Sequence, residues 1–421
     1  MATSLTERDK KVVWHPYTPQ KSMPEPIPVV KGEGVYIIDA NGKAYIDAIS
    51  SWWVTIHGHA NRYIADKIYE QAKTLEQVIF AGFTHEPAVR LAERLLDILP
   101  GQFAKVFYSD NGSTAVEVGV KMALQFWWNR GNTQRNKVLA LTHSYHGDTF
   151  GTMSLSERGV FNIAFHDKLF EVIFIDPPQK GNTGYNIPWN EIACMIYEPL
   201  LQGAGGMNMY EAAALNELMK QCHDHGVLCI ADEVMTGFGR TGRLFASEYV
   251  EEKPDIICLS KGLTGGTMAL GVTACTEKIH SAYVDDDRRK TFFHGHSFTA
   301  NPLACAAALA SMDLLLQPDC RLNMERITDQ HKNFVQQLKA DIRFAKRIKN
   351  LRSLGTIMAF EIESGPDGYL NAIGLEITRK ALEQGVYLRP LGNTVYIMPP
   401  YCITQQELEK VYKVIISILE A

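Results

Sequence analysis

The chain carries two patterns of apolar and polar positions, and each predicts a different kind of element. From Lys105 onward, short apolar runs rich in Ile, Val, Leu and Cys are separated by longer stretches with apolar residues at helical spacing. Continuously apolar short runs are typical of strands buried on both faces, and their alternation with helices predicts a mainly parallel α/β sheet. The predicted strands are Lys105–Ser109, Lys137–Leu141, Glu171–Ile175, Ile192–Tyr197, Val227–Ala231, Ile256–Ser260 and Val272–Thr276.

The two ends of the chain follow another pattern. Residues 34–38 and 43–47 flank a turn at residues 39–42 and predict a β-hairpin, and residues 63–99 have helical periodicity. Residues 300–316 predict a helix that leads out of the α/β region. Beyond about residue 319 the pattern becomes helix, strand, helix, hairpin, helix, with Val386–Arg389 paired to Thr394–Met398 in the hairpin. We expect a large domain over residues 61–318 and a smaller α+β domain built from residues 1–60 and 319–421.

Composition narrows the class of protein. The chain has 421 residues, of which 46% are hydrophobic and 21% charged, as in ordinary soluble globular proteins. A net charge of −5 gives no reason to expect a nucleic acid or an anionic membrane as a partner. The start is polar, no apolar run reaches membrane-spanning length, and the eight cysteines form no CxxC pair, so we expect a cytoplasmic protein with reduced thiols.

Two predicted strands end on residues with complementary chemistry. Asp232 follows the run Val227–Ala231, and Lys261 follows the run Ile256–Ser260. Open α/β sheets bind their ligands at the carboxyl ends of the strands. An amine and an acid in one crevice favour an electrophilic cofactor that the lysine holds covalently, with the acid facing a ring nitrogen of that cofactor. These two residues alone leave open a plain surface ion pair.

Two loops after predicted strands add to this picture. Asp110-Asn-Gly-Ser-Thr114 lies between a strand and a helix, which predicts either an anion site at a helix N-terminus or an ordinary helix cap. In the segment from His143 to Thr149, Tyr145 is suited to stack on a flat ring and Asp148 to meet a cationic group. The histidine pairs of the chain lack a shared acidic or cysteine partner at ligand spacing, so no metal site is expected.

The segment Gly237–Gly242 matches the G-x-G-x-x-G pattern of dinucleotide-binding proteins. It lies late in the chain, and the nearby Asp232 would repel a pyrophosphate. We interpret the segment as a mobile or tight-turning loop that carries Arg240. A nucleotide-dependent oxidoreductase that uses this loop is one alternative function.

Three segments occur together in a recognisable order and spacing: Ile230–Gly242, Ser260–Gly262 and Asn301–Leu303. They resemble class III (ω-type) pyridoxal-phosphate aminotransferases, and the resemblance runs nearly end to end. It implies the type I fold of pyridoxal-phosphate-dependent transferases, with pyridoxal 5′-phosphate as cofactor. It also implies a homodimer with its active sites at the subunit interface.

A second set of segments is similar to the members of this family that act in biotin synthesis, namely Trp14–Thr18, Ser51–Trp53, Tyr145–Thr149, Gln202–Met207 and Leu388–Pro390. This similarity implies transamination of 7-keto-8-aminopelargonate to 7,8-diaminopelargonate. S-adenosylmethionine is then the expected amino donor, and lysine is the alternative donor. Another ω-aminotransferase acting on a diamine or ω-amino acid, and a non-catalytic regulatory protein that binds the cofactor, are the rival functions.

The resemblance also implies a role for individual residues. Lys261 would hold the cofactor and move the proton, Asp232 would keep the pyridine nitrogen protonated, and Tyr17 would complete the catalytic set. Arg389 would pair with the substrate carboxylate through its planar guanidinium. The other cofactor-binding residues would be Gly112 and Ser113 at the phosphate, Tyr145 and Val234 on the ring, and Ser297 from the partner subunit. The substrate-binding residues would be Tyr17, Trp52, Trp53, Asp148, Gly295 and Arg389, although the tryptophans also suit plain core packing.

Four positions depart from common family patterns. Ala204 and Met235 stand where many relatives carry glutamate and glutamine, which argues against an ornithine or 4-aminobutyrate enzyme. Leu391 and His296 stand where an aromatic residue and a proline are common in the biotin-synthesis branch. These two changes affect the expected fine geometry of the substrate site and leave the expected reaction unchanged.

Overall fold

A computed structural model of the chain describes residues 4–22, 24–181 and 185–420. The helices are α1 (Leu5–Val12), α2 (Ser50–Trp53), α3 (Arg62–Ala72), α4 (Glu86–Ile98), α5 (Gly112–Asn129), α6 (Phe150–Leu155), α7 (Ala212–Asp224), α8 (Glu277–Ser281), α9 (Pro302–Leu315), α10 (Pro318–Ala340), α11 (Ile373–Glu383) and α12 (Gln405–Glu420). The strands are β1 (Val29–Glu33), β2 (Tyr36–Asp39), β3 (Ala44–Asp47), β4 (Phe103–Ser109), β5 (Lys137–Leu141), β6 (Val172–Ile175), β7 (Ile192–Tyr197), β8 (Leu201–Gln202), β9 (Asn208–Met209), β10 (Leu228–Asp232), β11 (Ile256–Leu259), β12 (Gly271–Thr276), β13 (Ile348–Leu354), β14 (Ile357–Ile362), β15 (Val386–Tyr387) and β16 (Thr394–Ile397).

A seven-stranded sheet forms the centre of the molecule, with the strand order β4-β12-β11-β10-β7-β5-β6. Strand β12 runs antiparallel to both of its neighbours, and the other pairs are parallel. All seven strands predicted from apolar runs lie in this sheet. The prediction of a mainly parallel sheet is therefore confirmed, because runs that are apolar on both faces become strands covered on both faces.

Alternate residues of each central strand pack on opposite sides of the sheet. Ile230 and Ile256 lie in the cluster that α5 covers, whereas Cys229 and Ala231 lie in the main core on the other face. Helix α5 approaches the sheet closely at Gly119, where an added Cβ would lie 3.0 Å from the Cys258 Sγ atom. This close packing fixes the position of the N-terminus of α5 relative to the ends of β10 and β11.

The two ends of the chain join in a smaller α+β region, as predicted. Strand β15 pairs in parallel with β3, in the register Val386 to Ile46, so a C-terminal strand completes the N-terminal sheet β1-β2-β3-β15. A second sheet has the order β13-β14-β16. The expected domain boundaries at residues 60 and 318 remain predictions.

The predicted hairpin of Val386–Arg389 with Thr394–Met398 is wrong. The two strands belong to different sheets, since β15 pairs with β3 and β16 pairs with β14, and only the isolated bridge Leu391 to Thr394 connects the two segments. A two-stranded hairpin is marginally stable by itself, and each of these buried strands finds a partner in a larger sheet. The sequence also predicted one strand before α11 where the structure has two, because β13 is rich in polar residues.

No single helix among the described residues is both long and apolar enough to cross a membrane. Helices α9 and α10 meet such a test only when taken together, across a bend of 70°.

Candidate active site

Asp232 and Lys261 meet at one edge of the central sheet. Asp232 is the last residue of β10, and Lys261 begins a short 3-10 helix (Lys261–Thr264) just after β11. Because β10 and β11 are parallel neighbours, both side chains reach the same cavity, which has a volume of about 460 Å³. Lys261 has a φ of 47°, a left-handed conformation that costs a residue with a side chain about 1–3 kcal/mol and that clusters at functional sites.

The N-terminus of α5 forms another wall of this cavity. Asn111 caps the helix, with its Oδ1 atom accepting a hydrogen bond from the Thr114 amide at 3.0 Å, and the first turn carries no acidic residue. Unpaired amides and the helix dipole make such a terminus suitable for a phosphate. A Cβ atom at Gly112 would lie 2.7 Å from Val234 Cγ1, so only glycine fits here without displacement.

His146 contacts Asp232 directly, and the sequence analysis assigned it no role. Its Nδ1 atom lies 2.7 Å from Asp232 Oδ2, while the Val234 amide donates to Asp232 Oδ1 at 3.1 Å. The His146 side chain is fully buried, and its Nε2 atom has no partner among the described residues. With a proton on Nδ1, the imidazole donates to the carboxylate and holds it in one orientation.

Glu198 is a second buried acid in the same cavity. Its Oε1 accepts from the Tyr145 amide at 3.1 Å and its Oε2 from the Gly203 amide at 2.8 Å. Burial raises the pKa of Glu198 to about 7, a rise that His146 opposes and Asp232 reinforces. Burial also lowers the pKa of Lys261, although Asp232 and Glu198 act in the opposite direction. A lowered pKa increases the neutral fraction of the amine, which is the nucleophilic form.

A larger cavity of about 600 Å³ adjoins the first and also reaches Lys261. The Tyr17 hydroxyl donates to Asp148 Oδ2 at 2.6 Å and lies 3.2 Å from the Tyr145 hydroxyl. Burial, together with Asp148, raises the pKa of Tyr17, so this phenol stays protonated at neutral pH. The structure therefore brings these three predicted residues into one hydrogen-bonded group.

The two tryptophans form the apolar wall of the larger cavity. The Lys261 Nζ atom lies 4.9 Å from the centre of the Trp53 ring, and the Arg389 guanidinium carbon lies 5.0 Å from the centre of the Trp52 ring. Trp53 is held in place because its Nε1 donates to the Tyr396 hydroxyl at 2.9 Å. An amine and a guanidinium thus face one cavity with aromatic surface between them.

The sequence analysis assigned no role to several residues that line the two cavities. Glu198 had a usable signal, since it directly follows the apolar run Ile192–Tyr197 as Asp232 follows its own run. The others come from distant loops and strands that sequence spacing does not connect. They are His146, Phe161, Tyr369 and Tyr396.

Ser297 and Gly295 are not brought together with the other predicted residues within one chain. Both are exposed and line neither cavity. The backbone carbonyl of Ser297 accepts a hydrogen bond from Gln77. Phe293 and Phe298, in the same segment, are 75% and 62% exposed, which makes this segment an apolar surface.

Residues 237–241 of the Gly237–Gly242 loop are buried, Gly242 is exposed, and the loop turns tightly. Arg240 donates through Nη1 to the Pro399 carbonyl at 3.0 Å and through Nη2 to the Trp53 carbonyl at 3.2 Å. The loop therefore supports the tryptophan wall from behind. A buried loop has no room for a dinucleotide, which removes the main argument for an oxidoreductase.

One sequence inference about metals needs correction. His223 has a cysteine and an acid within ligand distance, since possible ligand atoms of His223, Cys229 and Asp255 lie within 4.8 Å of one another. His223 also pairs with Glu252, and Asp255 with Lys278, so an ion-pair network accounts for this group. The group lies at the opposite ends of β10 and β11 from Asp232 and Lys261, outside the cavities described above.

The family model described as Aminotransferase class-III matches residues 17–419. The chain belongs to the class III aminotransferases, and it is a pyridoxal-phosphate-dependent transaminase with the type I fold. A protein of Synechococcus elongatus named adenosylmethionine-8-amino-7-oxononanoate aminotransferase is 45% identical over 97% of this chain and 98% of its own. A protein of the same name from Geobacter sulfurreducens is 39% identical over 96% and 95% of the two chains.

Solved structures agree with this assignment. The crystal structure of adenosylmethionine-8-amino-7-oxononanoate aminotransferase from Methanocaldococcus jannaschii superposes with a TM-score of 0.92, at 33% identity, over 99% of this chain and 98% of the other. An omega transaminase from Pseudomonas jessenii, solved in complex with PMP, gives a TM-score of 0.91 at 25% identity over the same shares.

The cavity between α5 and Asp232 fits pyridoxal 5′-phosphate. The acid-free N-terminus of α5 suits a phosphate, and the buried Asp232 with its His146 partner suits a protonated ring nitrogen. Because Gly112 has no Cβ atom, the first turn of α5 packs closely against Val234 in this wall. The lysine amine reaches the same cavity.

Proposed function

We propose that this enzyme transfers an amino group to 8-amino-7-oxononanoate (7-keto-8-aminopelargonate) and so makes 7,8-diaminopelargonate for biotin synthesis, with S-adenosylmethionine as the donor. The observation that carries this proposal is similarity over nearly the whole chain, up to 45% identity, to relatives named for this reaction. The cavity offers a complementary argument, because it has room for a long substrate with one acidic end.

In this proposal the cofactor is held at both ends by the residues of one cavity. The amides of Gly112 and Ser113 would bind its phosphate, and Tyr145 and Val234 would enclose its ring. Asp232 would stabilise a proton on the ring nitrogen, while His146 keeps the carboxylate in place. When bound, pyridoxal phosphate supplies an electron sink for the pair of electrons released at the substrate carbon.

Lys261 acts as the base and acid of the reaction in this proposal. Its amine would take up and return the proton that moves at the reacting carbon of the donor and of the acceptor. Burial lowers the pKa of this amine and so increases the fraction of its neutral, basic form. Tyr17 stays protonated and orients Asp148 at the entrance for a cationic amino group.

The acceptor binds along the tryptophan wall. Its carboxylate pairs with Arg389, and its aliphatic chain lies against Trp52 and Trp53, which excludes water from the reacting end. Lys261 lies beside Trp53 and Arg389 beside Trp52, so the two ends of the substrate fall near the two charged groups. A substrate without a remote carboxylate would lose this pairing.

We further propose that the enzyme is a cytoplasmic homodimer. The exposed segment that holds Gly295 and Ser297, with its exposed Phe293 and Phe298, supports this proposal, since large exposed apolar patches mark interaction sites. In the dimer, Ser297 of the partner subunit adds to the phosphate site, and Gly295 of the partner subunit lines the substrate site.

The experiment that tests the function is an absorbance spectrum of the purified enzyme before and after addition of S-adenosylmethionine. We expect the pyridoxal form to convert to the pyridoxamine form, and added 8-amino-7-oxononanoate to restore the first spectrum. If lysine converts the pyridoxal form and S-adenosylmethionine does not, the proposed acceptor stands and the donor is lysine. Conversion by putrescine or 4-aminobutyrate, with no response to the keto acid, would contradict the proposal and favour another ω-aminotransferase.

A further inference from the structure

The turn that carries the two tryptophans of the substrate cavity has an unusual backbone. Ser50, Ser51 and Trp53 have φ angles of 53°, 61° and 68°, and Ser51 combines its φ with a ψ of −94°. Residues with a side chain rarely adopt such conformations, because the Cβ atom then crowds the backbone. Contacts with the surrounding structure must therefore hold this turn in place.

Asp47, the last residue of β3, binds the turn through its carboxyl group. Its Oδ2 atom accepts hydrogen bonds from the Ser51 amide at 2.6 Å and from the Ser51 hydroxyl at 3.2 Å, and its Oδ1 atom accepts from the Ile49 amide at 3.3 Å. The Asp47 side chain is fully buried, so a hydrogen bond lost here is not replaced by one to water. The carboxyl group thus fixes the Ser51 amide at the centre of the strained turn.

His59 orients the same carboxyl group. Its Nε2 atom lies 2.9 Å from Asp47 Oδ2, and with a proton on Nε2 the ring donates to the carboxyl oxygen. The N-terminal sheet holds His59 in turn, because the His59 amide donates to the Gly34 carbonyl at 2.6 Å and a Cβ atom at Gly32 would lie 2.6 Å from His59 Cβ. A continuous series of contacts therefore runs from β1 to the tryptophan turn.

The strand that leads to Arg389 lies beside Asp47. Tyr387 of β15 is the parallel partner of Asp47 in β3, and the Ala48 amide donates to the Tyr387 carbonyl at 3.2 Å. Arg389 follows two residues later, and its guanidinium carbon lies 5.0 Å from the centre of the Trp52 ring. Asp47 therefore holds the tryptophan turn at the point where β3 meets the strand that carries the arginine.

We propose that Asp47 is a positioning residue for recognition of the acceptor carboxylate. By holding the strained turn, it keeps Trp52 against Arg389 and the guanidinium directed into the substrate cavity. Asp47 itself lines neither of the two cavities, so it acts through the turn and not on the substrate. This inference rests on the proposed function, in which Arg389 pairs with the carboxylate of 8-amino-7-oxononanoate.

The test measures how strongly the holoenzyme prefers 8-amino-7-oxononanoate over its methyl ester, which lacks the negative charge. Wild type should prefer the acid, because only the acid pairs with Arg389. In Asp47→Asn, an amide NH₂ replaces one of the two acceptor oxygens that hold the turn. We expect this variant to lower the ratio of the two kcat/KM values by about tenfold, through a higher KM for the acid.

Asp39→Asn is the matched control for this change. The Asp39 carboxyl group is also buried, and it accepts hydrogen bonds at 2.9 Å from the Asn41 and Lys43 amides in the turn between β2 and β3. Asp39 lines neither cavity and does not contact the tryptophan turn. This control should lose stability and keep the wild-type preference for the acid, which separates positioning from a general loss of folding.

Ser51→Gly tests the same point without a change at the buried acid. Glycine adopts the backbone angles of this turn without strain, so the variant folds and its turn is free to relax. We expect a loss of acid preference by a smaller factor than in Asp47→Asn. Ala60→Gly relieves a φ of 53° at an exposed residue and should keep the wild-type preference.

The outcomes separate this inference from the proposed function. An unchanged acid preference in Asp47→Asn and Ser51→Gly, or an equal loss in Asp39→Asn, would show that Asp47 has a structural role only and would overturn the inference. If Asp47→Asn does not fold, the comparison of Ser51→Gly with Ala60→Gly decides. A wild-type enzyme that does not convert the acid, or that uses the ester equally well, would instead overturn the proposed acceptor or its pairing with Arg389, and this inference with it.

Discussion

Lys261, Asp232 and Glu198 share one cavity. Burial favours the neutral forms of Lys261 and Glu198, and the Asp232 carboxylate contacts His146. At the scale of single residues, burial shifts the lysine toward its nucleophilic neutral form, and the His146 contact fixes the position of the carboxylate.

Replacement of Lys261 by alanine should abolish turnover, because no other lysine in the described part of the chain lines either of the two cavities. The variant should stay folded, since the change removes a partly buried amine and adds no unpaired charge. Borohydride reduction followed by mass spectrometry should fix the cofactor to wild type and not to the variant. Lys220→Ala, at an exposed residue of α7, is the control, and normal residual turnover in Lys261→Ala would contradict the assignment.

Replacement of Asp232 by asparagine should lower kcat by several orders of magnitude. An amide does not stabilise a proton on the ring nitrogen, so the electron sink fails. Steady-state rates with saturating donor measure the effect. A loss smaller than about tenfold, which corresponds to 1.4 kcal/mol, would count against the proposed role of Asp232.

The pKa of Glu198 predicts a pH dependence of stability. The folded enzyme binds this proton more tightly than the unfolded chain, since the pKa rises from 4.5 to about 7, so wild type should lose stability as pH rises through that window. A rise of this size corresponds to roughly 3 kcal/mol. Glu198→Gln lacks this titration, so the Tm of the variant minus that of wild type should increase between pH 5 and pH 8. A difference that is constant with pH would show that Glu198 does not titrate as described.

At the scale of elements, the site depends on the contact between the N-terminus of α5 and the end of β10. Gly119 lets α5 lie close to the sheet, and Gly112 lets its first turn pass Val234. These contacts fix the distance between the helix terminus and Asp232. The helix terminus then serves the phosphate end of the cofactor, and Asp232 serves the ring nitrogen. The Gly237–Gly242 loop also supports the site, because Arg240 donates a hydrogen bond to the Trp53 carbonyl.

Gly112→Ala should weaken cofactor binding by about tenfold, because its Cβ would lie 2.7 Å from Val234 Cγ1 and push the first turn of α5 outward. Reconstitution of the apoenzyme with increasing pyridoxal phosphate measures this affinity. Gly159→Ala, at a position with no atom within 4 Å of the added Cβ, is the matched control. Equal affinity in both variants would show that the α5 contact does not shape the phosphate site.

At the scale of the whole molecule, one chain leaves the proposed site incomplete. Lys261 and Asp232 line the cavity, whereas Ser297 lies in an exposed segment away from it. If active sites form between subunits, residues from two chains cooperate in each site. Two inactive variants can then complement each other in a mixed dimer.

A dimer of one Lys261→Ala subunit and one Ser297→Asp subunit should regain about half of the wild-type activity, because one of its two sites then has both an intact lysine and an intact serine. Two affinity tags allow the mixed dimer to be purified after coexpression. Lys261→Ala paired with Asp232→Asn is the control and should stay inactive, since both residues come from the same chain. Inactivity of the first mixture as well would place Ser297 in the site of its own subunit or outside any site.

The sequence by itself determined the central sheet and the positions of its two reactive ends. Strands buried on both faces must be apolar throughout, so the strands before Asp232 and Lys261 can be recognised from the sequence alone. Parallel strands deliver their carboxyl ends to one edge, which is why the acid and the amine were expected to meet. The motif resemblance then supplied the family and the cofactor.

The tertiary structure alone decided which distant residues complete the site. His146 on Asp232, Tyr396 on Trp53 and Tyr17 on Asp148 are contacts between segments far apart in the chain, and no local periodicity encodes them. The prediction of a hairpin at Val386–Met398 was wrong for the same reason. Short strands pair with the sheet edge that lies next to them in the complete fold. Local patterns reflect burial and turn chemistry, whereas long-range pairing depends on how the complete chain packs.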